Sequence, residues 1–426
     1  MSEDLQSSET YTTPMRSSNP LSKIKAENAK ISFSYIPVAV FVGGTSGIGR
    51  GIAEAFARHT KGNAHIIIVG RNRAAAESII ASFPQPTSPT AKHEFIECDV
   101  SLLKNVRQVT SEILNKHAKL NFLVLSAGVL DLNRTRLTED GIDPVTALSY
   151  HSRWKLIYDL APALEKARND NEDAKVLSVL SAGNGGKIDL ADLELKKAST
   201  MTWIQSVMTY NDIMMDGFAL HYPSVSFIHS YPGGVRTPLG LTSPSLFMRT
   251  WAFLANYTLL TYLLMPPENC GEYQLYGIHY TASTPGAWRV GQHGNDIGKQ
   301  GYHGDDESRD ALWKHTMEVT DSKNMASHGY NTRGNQRGIS DLNQPSATSS
   351  PSPSQVEEEN LAVSSTPKVS EENGSEPTMM DSPLTSIASD EGPSNNFSAP
   401  AGPENEAAPA GPEPTASAVS RRRRKR

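Results

Sequence analysis

Short apolar runs alternate with amphipathic segments along much of this chain, between about residues 36 and 291. The apolar, β-branched runs predict buried strands at residues 36–42, 64–69, 94–98, 121–125, 175–180 and 224–230. Apolar residues at helical spacing predict a helix after the first strand and further helices at residues 74–83, 106–114, 144–167 and 203–220. Strands that alternate with helices indicate an α/β fold, a doubly wound parallel sheet covered on both faces.

The composition changes near residue 305, beyond which Ser, Pro, Glu and Asn replace aromatic and β-branched residues. Such a segment buries too little apolar surface to offset the entropy of ordering, so we predict disorder from about residue 322 to 420. We therefore expect a flexible segment over residues 1–34, a single Rossmann-like domain over 35–305 and a largely disordered tail over 306–426. The chain ends in the basic run RRRRKR.

Charge and cysteine content narrow the function classes. The formal net charge of −6 gives no reason to expect a nucleic-acid partner. Cys98 and Cys270 cannot form a disulfide framework or metal cluster, which suits a reducing compartment. The polar N-terminus lacks the pattern of a signal sequence, so we expect a cytoplasmic protein. The basic run suits a nuclear localisation signal, a contact with anionic lipid or a solvated charge run.

A glycine-rich turn, GGTSGIG at residues 43–49, joins the first predicted strand to its helix. Three of its glycines allow a tight turn and close approach to a pyrophosphate, and the helix that follows offers unpaired N–H groups to phosphates. At the first strand–helix junction such a turn predicts a dinucleotide site. The turn residues that we assign to the cofactor are Gly43, Ser46, Gly47, Ile48 and Gly49. The turn resembles the TGxxxGxG motif of the short-chain dehydrogenase/reductase family, with Val42 where Thr is usual.

Three later motifs resemble that family's in the same order, and the resemblance extends from about residue 36 to 291. Asp99, in CDV, resembles the acidic residue that contacts the adenine. Ser126-Ala127-Gly128 resembles the NNAG turn, with both Asn replaced. The stretch PGGVRT at residues 232–237 matches PGxVxT, whose Val and Thr lie near the nicotinamide. The resemblance implies four further cofactor contacts, at Asp99, Gly128, Val235 and Thr237. The alternative is a Rossmann-like scaffold that binds nothing.

The end of the second predicted strand bears on the choice of nucleotide. A carboxylate there would accept hydrogen bonds from a ribose 2′-OH and favour NAD. The chain instead has Gly70, which leaves room, followed by Arg71 and Asn72. A guanidinium pairs well with a 2′-phosphate, so we expect NADP(H) as the cofactor, bound in part by Arg71 and Asn72. The alternative is that Arg71 is only a solvated charge.

The catalytic positions depart from the family pattern. The family uses a Tyr as general acid, a Lys that lowers its pKa, a Ser that hydrogen-bonds the substrate oxygen and an assisting Asn. Ser181 resembles the serine, or else caps a turn after its strand. Tyr210 is the remaining tyrosine candidate for the proton donor, although it lies too close to Pro232 and Met214 holds the lysine position. Its alternative is a buried or interfacial tyrosine. The Asn position is Ser149.

Other residues could replace the missing groups. The family spacing from Pro232 places Thr202 and Ser206 at the Tyr and Lys positions, and neither can do that chemistry. His151, His221 and His229 are alternative acid–base groups, although a structural role is the simpler interpretation of each. We therefore expect catalysis by Ser181 with Tyr210, an unidentified group or water.

The apolar stretch at residues 246–265 falls where the family keeps its substrate loop and lid. Its length approaches that of a membrane span, but Arg249 and its place over the cofactor argue against spanning. We expect a lid over a large apolar substrate, with peripheral membrane contact and burial against a second subunit as alternatives.

These expectations define two functional hypotheses. The first is an NADP(H)-dependent oxidoreductase that interconverts an alcohol and a ketone on an apolar small molecule. The resemblance to divergent fungal family members suggests secondary metabolism, with a terpenoid or polyketide substrate. The second is a catalytically inactive NADP(H)-binding scaffold or regulatory protein.

Overall fold

Seven parallel strands form the central sheet, in the order β3-β2-β1-β4-β5-β6-β7. The computed structural model describes residues 20–241, 243, 245–258 and 262–321. The strands are β1 (Val38–Val42), β2 (His65–Gly70), β3 (His93–Glu97), β4 (Phe122–Leu125), β5 (Lys175–Val179), β6 (Ser226–Ser230) and β7 (Gly286–Val290). The prediction of a doubly wound α/β fold is confirmed. Strand β7 was not predicted, because its sequence GAWRV contains a glycine and an arginine and is not an apolar run.

Helices cover both faces of this sheet. They are α1 (Leu21–Asn28), α2 (Gly47–His59), α3 (Arg73–Ser82), α4 (Leu103–Lys116), α5 (Pro144–Thr146), α6 (Ser152–Asn169), α7 (Thr200–His221), α8 (Leu246–Tyr257), α9 (Pro267–Tyr276) and α10 (Asp306–Asp321). Successive strand residues point to opposite faces, so Leu123 packs in one hydrophobic core and Val124 in the other. The first core lies beneath α4, α6, α7 and α10, and the second beneath α2, α3 and α9.

A π-helical segment, Ala147–His151, interrupts the helix predicted over residues 144–167. The Ser152 hydroxyl lies within hydrogen-bond distance of the carbonyls of Ala147 and Val100, so it ties this segment to the loop after β3. Such bulges are frequent at functional sites. Here the bulge contributes Leu148 to the wall of the cavity described below.

The ordered domain extends beyond both predicted boundaries. Before residue 35, α1 packs on α9, where Asn28 Nδ2 donates to Glu272 Oε2 at 2.7 Å. After residue 305, α10 packs on α7, with the rings of Trp313 and His221 stacked 4.0 Å apart. The described folded region is therefore wider than the predicted range of residues 35–305, because the packing of α1 on α9 and of α10 on α7 is not visible in the sequence. The disorder predicted for residues 322–420, the basic run and residues 1–19 lie outside the described residues.

Candidate functional site

A cavity of about 790 Å³ opens at the carboxyl ends of β1, β2, β3 and β4. The chain runs outward from β1 to β3 and then returns to β4 on the other side of β1, so the cavity lies at a switch point of the sheet, where such folds bind ligands. Its volume falls within the roughly 300–1,000 Å³ of small-molecule sites. The cofactor residues assigned from the sequence that line it are Gly43, Ser46, Gly47, Ile48, Arg71, Asn72, Asp99, Gly128 and Thr237.

The glycine turn brings the backbone close to the end of β4. Gly43 has a φ of +88°, and a Cβ there would come within 2.5 Å of the Ala127 backbone nitrogen. A Cβ on Gly49 would lie 2.1 Å from the Ser126 hydroxyl oxygen. Gly49 does not line the cavity, so its role is close packing of α2 against β4 rather than ligand contact.

The amino end of α2 fits an anionic group. The helix begins at Gly47, the Ser46 side chain makes no capping hydrogen bond, and the first turn holds no acidic residue. The first N–H groups of a helix have no partner within it, and the helix dipole favours negative charge at this end. Because Ser46, Gly47 and Ile48 line the cavity, this end can bind a pyrophosphate.

Two arginines and two carboxylates stand at the β2–β3 end of the cavity. Arg71 Nη1 lies 3.9 Å from Asp99 Oδ2, and Arg73 Nε lies 3.2 Å from Glu97 Oε2. The Arg71 and Asp99 side chains are 68% and 40% exposed. Exposed ion pairs of this kind contribute little stability, so both guanidinium groups can exchange a carboxylate for a bound anion.

Arg73 lines the cavity but was not predicted from the sequence, and Asn72 has a structural role besides its place in the cavity wall. Asn72 caps α3, because its Oδ1 accepts a hydrogen bond from the Ala75 N–H at 3.0 Å. The cap fixes the start of α3 and so places Arg73 on the cavity wall. The signal was present in the sequence, since basic residues flank Asn72 on both sides.

Ser181 lies at the same sheet edge, just beyond β5, which neighbours β4. Its main-chain N–H donates to His229 Nε2 at 3.2 Å, and its hydroxyl makes no hydrogen bond to another described residue. The loop after β7 packs on the same turn, since a Cβ on Gly183 would lie 2.9 Å from the Gln300 carbonyl oxygen. Ser181 does not line the 790 Å³ cavity but stands one strand further along the edge.

The structure does not bring Tyr210 to this cavity. The ring is 1% exposed, and the hydroxyl donates to the Leu193 carbonyl at 3.1 Å. Burial raises the pKa of the phenol, which opposes a role in acid–base exchange at neutral pH. The segment at residues 185–199 covers this face of α7, with Leu195 in the core and Ile188 and Leu193 partly buried against it. The proton-donor assignment of Tyr210 therefore gives way to the alternative of a buried tyrosine, and Met214 is buried in the same core.

A buried Asp–His pair was also missed by sequence reasoning. His229 Nδ1 lies 2.7 Å from Asp212 Oδ1, and both side chains are almost fully buried. Asp212 Oδ2 has no hydrogen-bond partner among the described residues. The sequence gives no clear signal for this pair, because α7 holds several other polar residues besides Asn211 and Asp212.

The remaining candidate histidines, His151 and His221, and Val235 make contacts within the fold and do not line the cavity. His221 Nδ1 lies 2.8 Å from the Gly217 carbonyl, and His151 is buried beside Tyr150. Val235 forms a bridge with Met265, which joins the PGGVRT stretch to the end of the apolar segment. Val235 therefore stands beside the cavity without lining it.

Helix α8 presents apolar side chains to solvent. Leu246, Phe247, Phe253 and Leu254 are 75%, 78%, 54% and 41% exposed. The residues just before α8 in sequence, Thr237, Pro238 and Leu239, line the cavity, whereas α8 itself does not. Among the described residues, no helix is both long enough and apolar enough to cross a membrane.

The switch-point cavity, the tight glycine turn and the uncapped helix end together define the architecture of a dinucleotide-binding α/β protein. Comparison with known proteins agrees with this class. A model of the short chain dehydrogenase family matches residues 37–187. An oxidoreductase of Emericella nidulans is 34% identical over 269 residues, which cover 62% of this chain and 78% of the relative. A short-chain dehydrogenase/reductase of Stachybotrys chartarum, SAT2, is 30% identical over 277 residues, covering 60% of this chain and 76% of the relative.

Among solved structures, an alcohol dehydrogenase of Thermococcus sibiricus complexed with 5-hydroxy-NADP aligns over 60% of this chain and 95% of its own, with 18% identity and a TM-score of 0.45. On the sequence relatives, the chain belongs to the short-chain dehydrogenase/reductase family of oxidoreductases.

Proposed function

We propose that the protein is an NADP(H)-dependent oxidoreductase that interconverts an alcohol and a ketone on an apolar small molecule. The observation that carries the proposal is the 790 Å³ cavity, with the amino end of α2 on one wall and Arg71 and Arg73 at one end. Bound there, the nucleotide would place its pyrophosphate at Ser46, Gly47 and Ile48.

The two arginines support NADP(H) over NAD(H). No acidic residue follows β2 directly, where a carboxylate would bind a ribose 2′-OH. A 2′-phosphate could instead replace the weak pairing of Arg71 with Asp99 and of Arg73 with Glu97. Once displaced, Glu97 and Asp99 remain able to accept hydrogen bonds from adenine or ribose.

The chemistry proposed for the site follows from Ser181. A bound nicotinamide supplies or accepts a hydride. The Ser181 hydroxyl, which has no described partner, donates a hydrogen bond to the substrate carbonyl and holds it at the sheet edge. Because Tyr210 is committed to the Leu193 carbonyl, we assign the proton to a water molecule bound beside Ser181.

An apolar substrate is supported by the side chains around the site. Leu148 and Leu239 line the cavity. Relatives of this chain include fungal oxidoreductases, which is the support for a role in secondary metabolism on a terpenoid or polyketide. The exposure of α8 favours contact with a membrane surface or a second subunit over the lid expected from the sequence.

Titration of the full chain with NADPH and NADH tests the cofactor. Loss of a charge-assisted hydrogen bond should weaken NADPH binding by roughly tenfold or more in Arg71→Ala and in Arg73→Ala, with NADH affinity little changed. Lys116→Ala is the matched control, since it removes an exposed charge that does not line the cavity. Equal affinity for both nucleotides in wild type, unchanged in the variants, would refute NADP(H) selectivity. Failure to bind either would refute the proposed function.

A second candidate is an NADP(H)-binding scaffold or regulatory protein without turnover. It is favoured by the burial of Tyr210 and by Met214 at the family's lysine position. Assays with NADPH and a panel of apolar ketones separate the two candidates. Turnover that falls at least tenfold in Ser181→Ala supports the enzyme, whereas tight NADPH binding without turnover across the panel supports the scaffold.

A further inference from the structure

Arg153 is a buried cation held behind the wall of the cavity. It lies at the start of α6 and is 3% exposed. Its guanidinium donates to the carbonyl oxygens of Leu148, Val179 and Ala127, at 3.1, 2.8 and 3.0 Å. It also donates to the Ser178 hydroxyl at 2.8 Å. These contacts join the ends of β4 and β5 to the π-helical segment.

Every one of these acceptors is neutral. No described carboxylate lies within ion-pair distance of the guanidinium, although buried arginines are usually paired. Asp212, a buried acid on α7, directs its carboxylate to His229. Burial lowers the pKa of Arg153 to about 9, which leaves the group charged at neutral pH. The positive charge is therefore stabilised by carbonyl dipoles and a hydroxyl group, with no described carboxylate in contact.

The charge stands on the Ser181 side of the cavity, where the proposed function puts the substrate carbonyl and so the reacting end of the cofactor. Two of its carbonyl partners, those of Leu148 and Ala127, belong to residues of the cavity wall. A third, that of Val179, is two residues before Ser181. The guanidinium thus lies between the cavity and the proposed substrate position, far along the sheet edge from Arg71 and Arg73, which follow β2.

We propose that Arg153 determines which oxidation state of the cofactor this site prefers, by favouring the reduced nicotinamide over the oxidised one. The inference rests on the proposed nicotinamide cofactor. The oxidised ring carries a positive charge and the reduced ring carries none, so a buried cation behind the wall, with no carboxylate in contact, repels only the oxidised form. In a low-dielectric interior this repulsion is screened far less than in water.

The consequence is a site suited to ketone reduction. The reduced nucleotide loads in preference to the oxidised one, and the oxidised product is released more readily. The preference concerns binding of the nucleotide, not the hydride step, so it can be measured without a substrate.

The test is equilibrium titration of the full chain with NADPH, NADP⁺ and 2′,5′-ADP, which lacks the nicotinamide. Wild type should bind NADPH about tenfold more tightly than NADP⁺, because repulsion from the buried unit charge acts only on the oxidised ring. Arg153→Met should bring this ratio close to one while leaving the affinity for 2′,5′-ADP unchanged. Arg153→Lys keeps the charge but loses the multiple hydrogen bonds, and should keep most of the preference.

Three results would overturn the proposal. The first is a wild-type chain that binds NADP⁺ at least as tightly as NADPH, a measurement that needs no variant to fold. The second is a ratio that stays at its wild-type value in Arg153→Met. The third is an equal loss of affinity for all three ligands in both variants, which would make Arg153 purely structural. A wild-type chain that binds none of the three would instead refute the proposed function. If the chain binds only NADH and NAD⁺, the same ratio is measured with that pair.

Discussion

The Nε2 atom of His229 accepts a hydrogen bond from the main-chain N–H of Ser181, at 3.2 Å. Because Nε2 is the acceptor, the proton of a neutral imidazole resides on Nδ1, which donates to Asp212 Oδ1 at 2.7 Å. A residue of β6 therefore fixes the turn that follows β5, and a carboxylate of α7 fixes the orientation of the ring. Ser181 is therefore positioned by two buried polar side chains, His229 directly and Asp212 through His229.

Removal of the imidazole should be costly. His229→Leu leaves the Asp212 carboxylate buried without its donor, so we expect a loss of about 3–5 kcal/mol in the free energy of unfolding. Asp212→Asn keeps an acceptor for Nδ1–H and should cost clearly less. Urea denaturation of both variants measures the difference. Wild-type stability in His229→Leu would show that the pair contributes nothing to the fold.

Removal of the hydroxyl group should lower mainly the stability at Tyr210 and mainly the turnover at Ser181. Tyr210→Phe loses the hydrogen bond to Leu193, which should lower the free energy of unfolding by about 1 kcal/mol and leave nucleotide binding and turnover unchanged. Ser181→Ala should leave stability within about 0.5 kcal/mol of wild type and lower turnover. Thermal unfolding and the ketone assay report the two effects. A large loss of turnover with unchanged stability in Tyr210→Phe would return Tyr210 to the catalytic role.

The strands could be predicted because buried parallel strands are apolar runs, whereas β7 was missed because Gly286 and Arg289 interrupt its sequence. The glycine turn could be assigned because its chemistry depends on local backbone conformation. The spacing to Pro232 indicated that Tyr210 was misplaced, but its hydrogen bond to Leu193 depends on how residues 185–199 fold over α7.

The buried polar groups were beyond prediction for a related reason. Arg153 lies in α6 and Asp212 in α7, and the sequences of these helices do not show that the two side chains are buried. Their partners are main-chain carbonyls and a histidine from other elements of the fold. Such contacts are set by tertiary packing, which residue spacing along one chain does not encode.

Glu272 should make stability depend on pH. Burial alone would raise the pKa of this carboxyl, but hydrogen bonds from His59 and Asn28, together with the charges of His59 and Arg58, lower it overall. A lowered folded pKa means that the carboxylate stabilises the fold above its unfolded pKa of about 4.3 and that this stability is lost as pH falls through the folded value. Glu272→Gln should therefore be less stable than wild type at pH 7, and the difference should shrink towards pH 4.

Glu165 is the matched control for that prediction. Burial raises the pKa of this carboxyl in the folded protein, so the effect of pH on stability is reversed. As pH rises through the folded pKa, ionisation of Glu165 destabilises the fold. Glu165→Gln should gain stability relative to wild type as pH rises from 4 to 7. Urea denaturation at several pH values follows both variants. Parallel pH trends in the two would contradict the opposite signs of their pKa shifts.

The exposed apolar face of α8 should mediate contact with a lipid surface. Leu246 and Phe253 are seven residues apart, as are Phe247 and Leu254, and this spacing places the four side chains on one face of the helix. An apolar helical face of this kind binds at the boundary of headgroups and acyl chains, and a basic segment such as residues 421–426 adds attraction to anionic lipid.

We expect the full chain to sediment with anionic lipid vesicles and the double variant Phe247→Ser with Phe253→Ser to stay in the supernatant. Leu220→Ser removes an apolar side chain that is 60% exposed at the end of α7, and it should sediment like wild type. Added salt should weaken binding through the basic run but spare the apolar contribution of α8. A double variant that still sediments but shows a raised KM for apolar ketones would identify α8 as a substrate lid instead, because its aromatic side chains would then contact the substrate and not the lipid.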